Sequence, residues 1–164
     1  MKFNILAAPM LGALFLGLCG AAAVADPARP AVSEAYIRAM PPKAPVAGGF
    51  LTIRNDGAEG DRLVSVRSPR AGEVQIHEMT MNGSVMKMRE LPDGLPIPAG
   101  ETVVLKPGGF HLMFMQIPAP FAEGQTVEAT LVFEKAGEVA LPFEVRAMRP
   151  APADHGHDTG HSGH

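Results

Sequence analysis

The residues of this 164-residue chain with the most distinctive chemistry are its ten methionines and six histidines. Met1 and Met10 fall in an apolar leader. Of the eight methionines that remain, six lie between Met79 and Met115, and the same region holds His77 and His111. Thioether sulfur and imidazole nitrogen together suit Cu(I), whereas Ca²⁺ and Mg²⁺ need hard oxygen donors. A thioether has no proton to lose near neutrality, so a Met-rich site keeps its donors in acid. The one cysteine, Cys19, also lies in the leader. A soft metal in the folded part must therefore be held without thiolate. That fits an oxidising compartment, although Met can itself be oxidised to the sulfoxide.

Spacing gathers these donors. Asn82-Gly83 stands between two alternating runs and predicts a hairpin with a two-residue type I′ loop. In that register Met81 faces Ser84, Met79 faces Met86 and His77 faces Met88, while Glu78 faces Lys87 on the other side of the ribbon. Directly opposed residues have Cβ atoms about 4.5–5.5 Å apart. One face of the hairpin then carries His77, Met79, Met86 and Met88. Residues His111, Met113 and Met115 alternate and share one face of their own strand. Bringing the two faces together makes a His/Met pocket. Met is also a common core filler, and a lone His is more often structural than a ligand. The combination of two Met-flanked histidines is what favours metal. Glu78 and Glu90 read as solvated residues on the polar face or at the end of the hairpin.

The elements that position these residues are short strands. Tyr36–Met40, Phe50–Arg54, Leu63–Arg67, Val74–Met79, Val85–Arg89, Thr102–Leu105, Phe110–Gln116, Thr126–Phe133 and Val139–Val145 are separated by Pro, Gly, Asn and Asp turn signals. No long stretch holds helical periodicity. The expected fold is all-β, an antiparallel Greek-key barrel or sandwich. Residues 1–25 read as a cleaved signal peptide: Lys2 is followed by an apolar run too short to span a bilayer, then by Ala23-Val24-Ala25. Leu18 before Cys19 argues against lipidation there. A folded β domain is expected over 26–148 and a flexible tail over 149–164. That tail interleaves His155, His157, His161 and His164 with Gly, Asp, Ser and Thr. It should be disordered without a ligand and suits Cu(II), Zn²⁺ or Ni²⁺.

The run from Gly48 to Phe133 resembles the PCu(A)C periplasmic copper chaperone family, also described as the DUF461 type. The matching segments are Ser68-Pro69 through His77-Glu78-Met79, then Val85-Met86-Lys87-Met88-Arg89. Gly94-Leu95-Pro96-Ile97-Pro98-Ala99-Gly100 and Leu105-Lys106-Pro107-Gly108-Gly109-Phe110-His111-Leu112-Met113-Phe114-Met115 complete them. The family pattern is a His, about ten residues, a Met, just over twenty residues, then His-x-Met. Ten residues separate His77 from Met88 and twenty-two separate Met88 from His111, one more than the pattern, with the slack in a Pro/Gly loop. The resemblance implies a cupredoxin-like β-barrel with Cu(I) ligands His77, Met88, His111 and Met113. Met79, Met86 and Met115 are secondary candidates. It also implies a periplasmic carrier that delivers copper to a haem-copper oxidase, with a Sco-type protein as a further partner.

Other classes fare worse. The formal charge of −3, or −4 once Lys2 is removed, offers no basic cluster for nucleic acid. There is no Gly-x-Ser-x-Gly setting and no Cys nucleophile, so an enzyme is not expected. Two alternatives to delivery stay open: copper sequestration without an acceptor, and a β-sandwich interaction module with incidental Met packing.

Overall fold

The computed structural model describes residues 29–147 except residue 42. The leader and the His-rich tail lie outside the described residues. Among those described there are ten strands and no helix: β1 (Ala31–Arg38), β2 (Val46–Arg54), β3 (Asp61–Arg67), β4 (Glu73–Asn82), β5 (Val85–Glu90), β6 (Leu95–Ile97), β7 (Thr102–Leu105), β8 (Phe110–Met115), β9 (Thr126–Phe133) and β10 (Gly137–Arg146). Nine are those read from the sequence: β3, β4, β5 and β10 are extended by one to three residues at an end, β7 and β9 coincide, β8 stops at Met115, β1 runs from Ala31 to Arg38 in place of Tyr36–Met40, and β2 begins at Val46 in place of Phe50. The tenth, β6, is a three-residue edge strand that pairs only with β3. Pro96 lacks an N–H, which hides the strand in the sequence and is tolerated at an edge.

The strands run in the order β5-β4-β8-β2-β1-β10-β9-β3-β6, and β7 pairs with β2 beyond the end of β8. All neighbours are antiparallel except β1 and β10, which are parallel. A parallel pair needs a long crossover, and most of the chain runs between these two strands. The sheet curls on itself. Phe114 of β8 meets Phe143 of β10 edge to face with ring centroids 5.9 Å apart, although β2 and β1 lie between the two strands in sheet order. Phe121 closes on Phe114 from a third side at 6.0 Å. Ile37, Ile53, Leu63, Leu112, Leu131, Phe114, Phe121 and Phe143 are all fully buried. Each such side chain contributes about 1.5–3 kcal/mol relative to exposure.

Strand alternation then settles where the site can be. In β4 and β8, Ile76, Leu112 and Phe114 face the core. The intervening Gln75, His77, Met79, His111, Met113 and Met115 must face the opposite, outer side of the sheet.

Candidate metal site

β4 lies between β5 and β8, and β8 lies between β4 and β2. On the outer face of these four strands, His77 pairs directly with His111 and Gln75 with Met113. Met113 in turn pairs with Gly48 of β2. A cleft of about 260 Å³ opens over this face, lined by Met79, Met88, His111 and Met113 together with Met40, Gly48, Phe50, Pro107 and Gly108. Gly48 forms its floor. A Cβ there would come within 3.2 Å of the Phe50 ring.

The hairpin register differs from the one expected. His77 faces Glu90, Met79 faces Met88, Met81 faces Met86 and Asn82 faces Val85. The loop is therefore Gly83-Ser84. Gly83 has φ of +64°, while neither Asn82 nor Ser84 has a positive φ. A type I′ loop on Asn82-Gly83 would need both of those residues left-handed, whereas a type II′ loop needs only a Gly in first place. Moving the loop by one residue moves every partner by two. His77 is thus not opposite Met88, Met79 is not opposite Met86, and Met81 does not face Ser84. Glu78 faces Arg89, with which it forms a 2.6 Å ion pair, and not Lys87. Because the shift is even, no side chain changes face. His77 and Met88 remain on one side, now as diagonal neighbours. Glu90, on the same face as Met86 and Met88 by alternation, now stands directly opposite His77, which corrects its reading as a residue of the polar side.

The two imidazoles are held in complementary tautomers. His111 is 5 % exposed, and its Nδ1 donates to the Gly109 carbonyl at 3.0 Å. Its Nε2 therefore keeps a lone pair. His77 Nε2 donates to Gln75 Oε1 at 2.8 Å, which leaves the lone pair on Nδ1. That Nδ1 is buried and has no hydrogen-bond partner. An unsatisfied buried acceptor costs about 1–3 kcal/mol, which a bound cation would offset. The rings stand edge to face, 5.6 Å between centroids and 76° between planes. Burial pushes the His77 imidazole below its usual value of 6.5, and His111 beside it pushes the same way, while Glu90 opposes both. His77 is thereby kept in the neutral form that can ligate.

The loop from Lys106 to Gly109 sets this geometry. Lys106 N–H donates to Phe110 O at 2.8 Å and Gly109 N–H to Lys106 O at 3.1 Å, closing a tight excursion between β7 and β8. The Gly109 carbonyl then accepts from both His111 Nδ1 and the Met79 N–H, the latter at 3.1 Å. Among the described residues, no three His, Cys, Asp or Glu side chains converge as a metal site. The other potential soft donors on this face are the thioethers that line the cleft.

The LpqE-like family model matches residues 30–145. The chain belongs to the LpqE-like family. It is 33 % identical over 152 residues to "Putative lipoprotein Lxx21020" of Leifsonia xyli subsp. xyli (strain CTCB07), covering 86 % of this chain and 90 % of that one. Among solved structures it is similar to a copper-bound PCuAC domain from PmoF2, with TM-score 0.60 and 29 % identity over 71 % of this chain and 91 % of that one. It is similar also to the Cu(I) form of DR1885 from Deinococcus radiodurans, with TM-score 0.60 and 26 % identity over 76 % and 83 % of the two chains. The expected PCu(A)C resemblance and the all-β, cupredoxin-like fold are borne out.

Within this LpqE-like chain the candidate residues are not equivalent. Met79, Met88, His111 and Met113 share the cleft, with His77 against His111. Met86 stands at the hairpin tip, 63 % exposed. Met115 lies opposite Glu73 and Val46 and does not line the cleft. His155, His157, His161 and His164 lie outside the described residues. The sequence reading missed Met40 and Phe50 as cleft walls, Gly48 as its floor, and Gln75 and Gly109 as the groups that orient the imidazoles. Gln75 and Gly109 each sit two residues before a candidate His, a spacing that places them on its face. A larger cleft of about 590 Å³ is lined by Tyr36, Arg38, Glu123, Glu144 and Arg146, with no His or Met among the described residues that line it. There Arg146 is already paired with Glu144 at 2.9 Å and stacked on Tyr36 at 4.8 Å.

Proposed function

We propose that this chain is a periplasmic copper carrier that binds one Cu(I) through His77 Nδ1, His111 Nε2 and the thioethers of Met88 and Met113. The observation that carries this reading is the unpartnered, buried Nδ1 of His77 beside the free Nε2 of His111, on the face where the methionines gather. Two neutral imidazoles and two uncharged thioethers leave a monovalent soft cation its charge and make no demand for hard donors. The copper-bound and Cu(I)-bound states named for the similar PCuAC structures support copper as the cargo. Met79, opposite Met88, is an alternative thioether donor.

The site is shallow, with Met88 48 % exposed. An acceptor can displace Met88 first and the more deeply set donors afterwards, so copper leaves by stepwise ligand exchange without unfolding the sheet. The acceptor in this reading is the copper centre of a haem-copper oxidase, with a Sco-type protein as a further partner. Residues 1–25 direct export, which the lipoprotein names of the relatives support. The tail histidines His155, His157, His161 and His164 bind Cu(II) separately. No catalytic step is assigned to the chain.

The test is a competitive Cu(I) titration against a chelator, followed by mixing the loaded protein with an apo oxidase copper domain. One tight equivalent that moves to the acceptor is expected. Tight binding without transfer would convert the carrier into a sequestering protein. Absence of tight binding would overturn the site.

A further inference from the structure

We propose that Met81 and Met86 form a second, outer soft-metal site at the tip of the β4–β5 hairpin, where a monovalent soft cation is captured and handed inward to the His77/His111 centre. The inference rests on the copper reading above and extends it. In the observed register Met81 and Met86 are directly opposed, and the next pair inward on the same face is Met79 with Met88. Beyond that pair comes His77, opposite His111 on the other side of β4. Successive rungs on one face are about 7 Å apart. A Met side chain has three rotatable bonds, so neighbouring rungs can share a cation.

Exposure falls along this ladder. Met81 and Met86 are each 63 % exposed, Met88 is 48 % exposed and His111 is 5 % exposed. Packing does not account for the outer pair, because side chains so exposed fill no core. Both side chains are open to solvent. The cations of the hairpin, Lys87 and Arg89, occupy the alternate positions on β5 and so point to the opposite face, and Arg89 is engaged by Glu78. On the hairpin itself a soft cation therefore meets no like charge on the Met face, while Arg38, which lines the inner cleft, is held over the Phe50 ring at 5.5 Å.

Two opposed thioethers give a low-coordinate site of modest affinity. The inner centre adds two imidazoles and is tighter. Cation flow is then downhill from the tip to the cleft. Each step exchanges one neutral ligand for another, so oxidation state and proton count are unchanged.

The experiment uses the full chain labelled with ¹³C at the Met methyl groups, titrated with Ag(I), a soft monovalent cation that does not change oxidation state. The first equivalent should shift the methyl signals of Met88 and Met113, and the second those of Met81 and Met86. The variant M81L/M86L, altered only at exposed positions, should keep the first response, lose the second, and load its inner site more slowly from a chelated Ag(I) donor. Wild-type signals of Met81 and Met86 that stay in place through saturation would overturn the outer site. So would a variant that loads at the wild-type rate. Met88 and Met113 signals that never move would instead overturn the proposed function, and the outer site with it.

Discussion

Replacing Met88 and Met113 together by Leu separates ligation from packing. Leu nearly matches Met in volume and carries no sulfur donor. Met88 is half exposed, so its replacement leaves the core untouched. Met113 lies opposite Gly48 and is partly buried, and a volume-conserving swap there costs under about 1.5 kcal/mol. The metal-free variant should therefore unfold close to the wild type. The difference should appear on adding Cu(I). A ligand that binds only the folded state adds about 2.7 kcal/mol when its free concentration is a hundred times Kd. For a domain of this size that corresponds to an increase of about 10 °C in Tm. The assay is thermal unfolding, followed by circular dichroism under anaerobic conditions, with buffered Cu(I) and a tail-less chain as the parallel control. The wild type should gain this increment and the double variant should show almost none of it. A variant that keeps the full copper-dependent rise would refute the assignment of Met88 and Met113 as ligands.

Other outcomes follow from named contacts. Gln75→Leu removes the acceptor that holds His77 Nε2 and should weaken Cu(I) binding about 10- to 100-fold in a chelator competition while leaving one equivalent bound. Gly49→Ala places a Cβ 2.6 Å from Phe114 Cε2, in a ring wedged against Phe121 and Phe143. It should cost about 1–3 kcal/mol in urea unfolding. Because the His77 imidazole is more easily deprotonated in the fold than in the unfolded chain, the unfolded state takes up the proton first. The stability of the metal-free protein should be complete above pH 6.5 and fall as pH drops through the lowered folded value; His77→Gln should flatten that decline in urea titrations. Mass spectrometry of the exported protein should find Asp26 as its first residue, and retention of a lipidated Cys19 would contradict the leader as read.

The grouping of the candidate His and Met residues and their faces were legible in the sequence. Alternation places His77, Met79 and Met81 on one side of β4 and His111, Met113 and Met115 on one side of β8, whatever the strands pair with. The hairpin between Met81 and Met86 was legible too, but not its loop. Asn82-Gly83 and Gly83-Ser84 are both good two-residue loops, and they differ only in which residues take positive φ. The tertiary structure decided for Gly83-Ser84, which set Met79 opposite Met88 and Glu90 opposite His77. Face assignments survived because a hairpin loop that moves by one residue shifts partners by two.

The meeting of His77 and His111 is a different matter, because β4 and β8 are far apart along the chain and no local rule pairs them. Their register is set by the other side of the sheet, where Ile76, Leu112 and Phe114 must all reach the core at once. The same pairing brings the Gly109 carbonyl to Met79 and His111, and with Gln75 it fixes which nitrogen of each ring is free. Short-range chemistry determined what this chain can hold. The burial of a shared apolar face, which only the assembled sheet can satisfy, decided where and in which tautomers it is held.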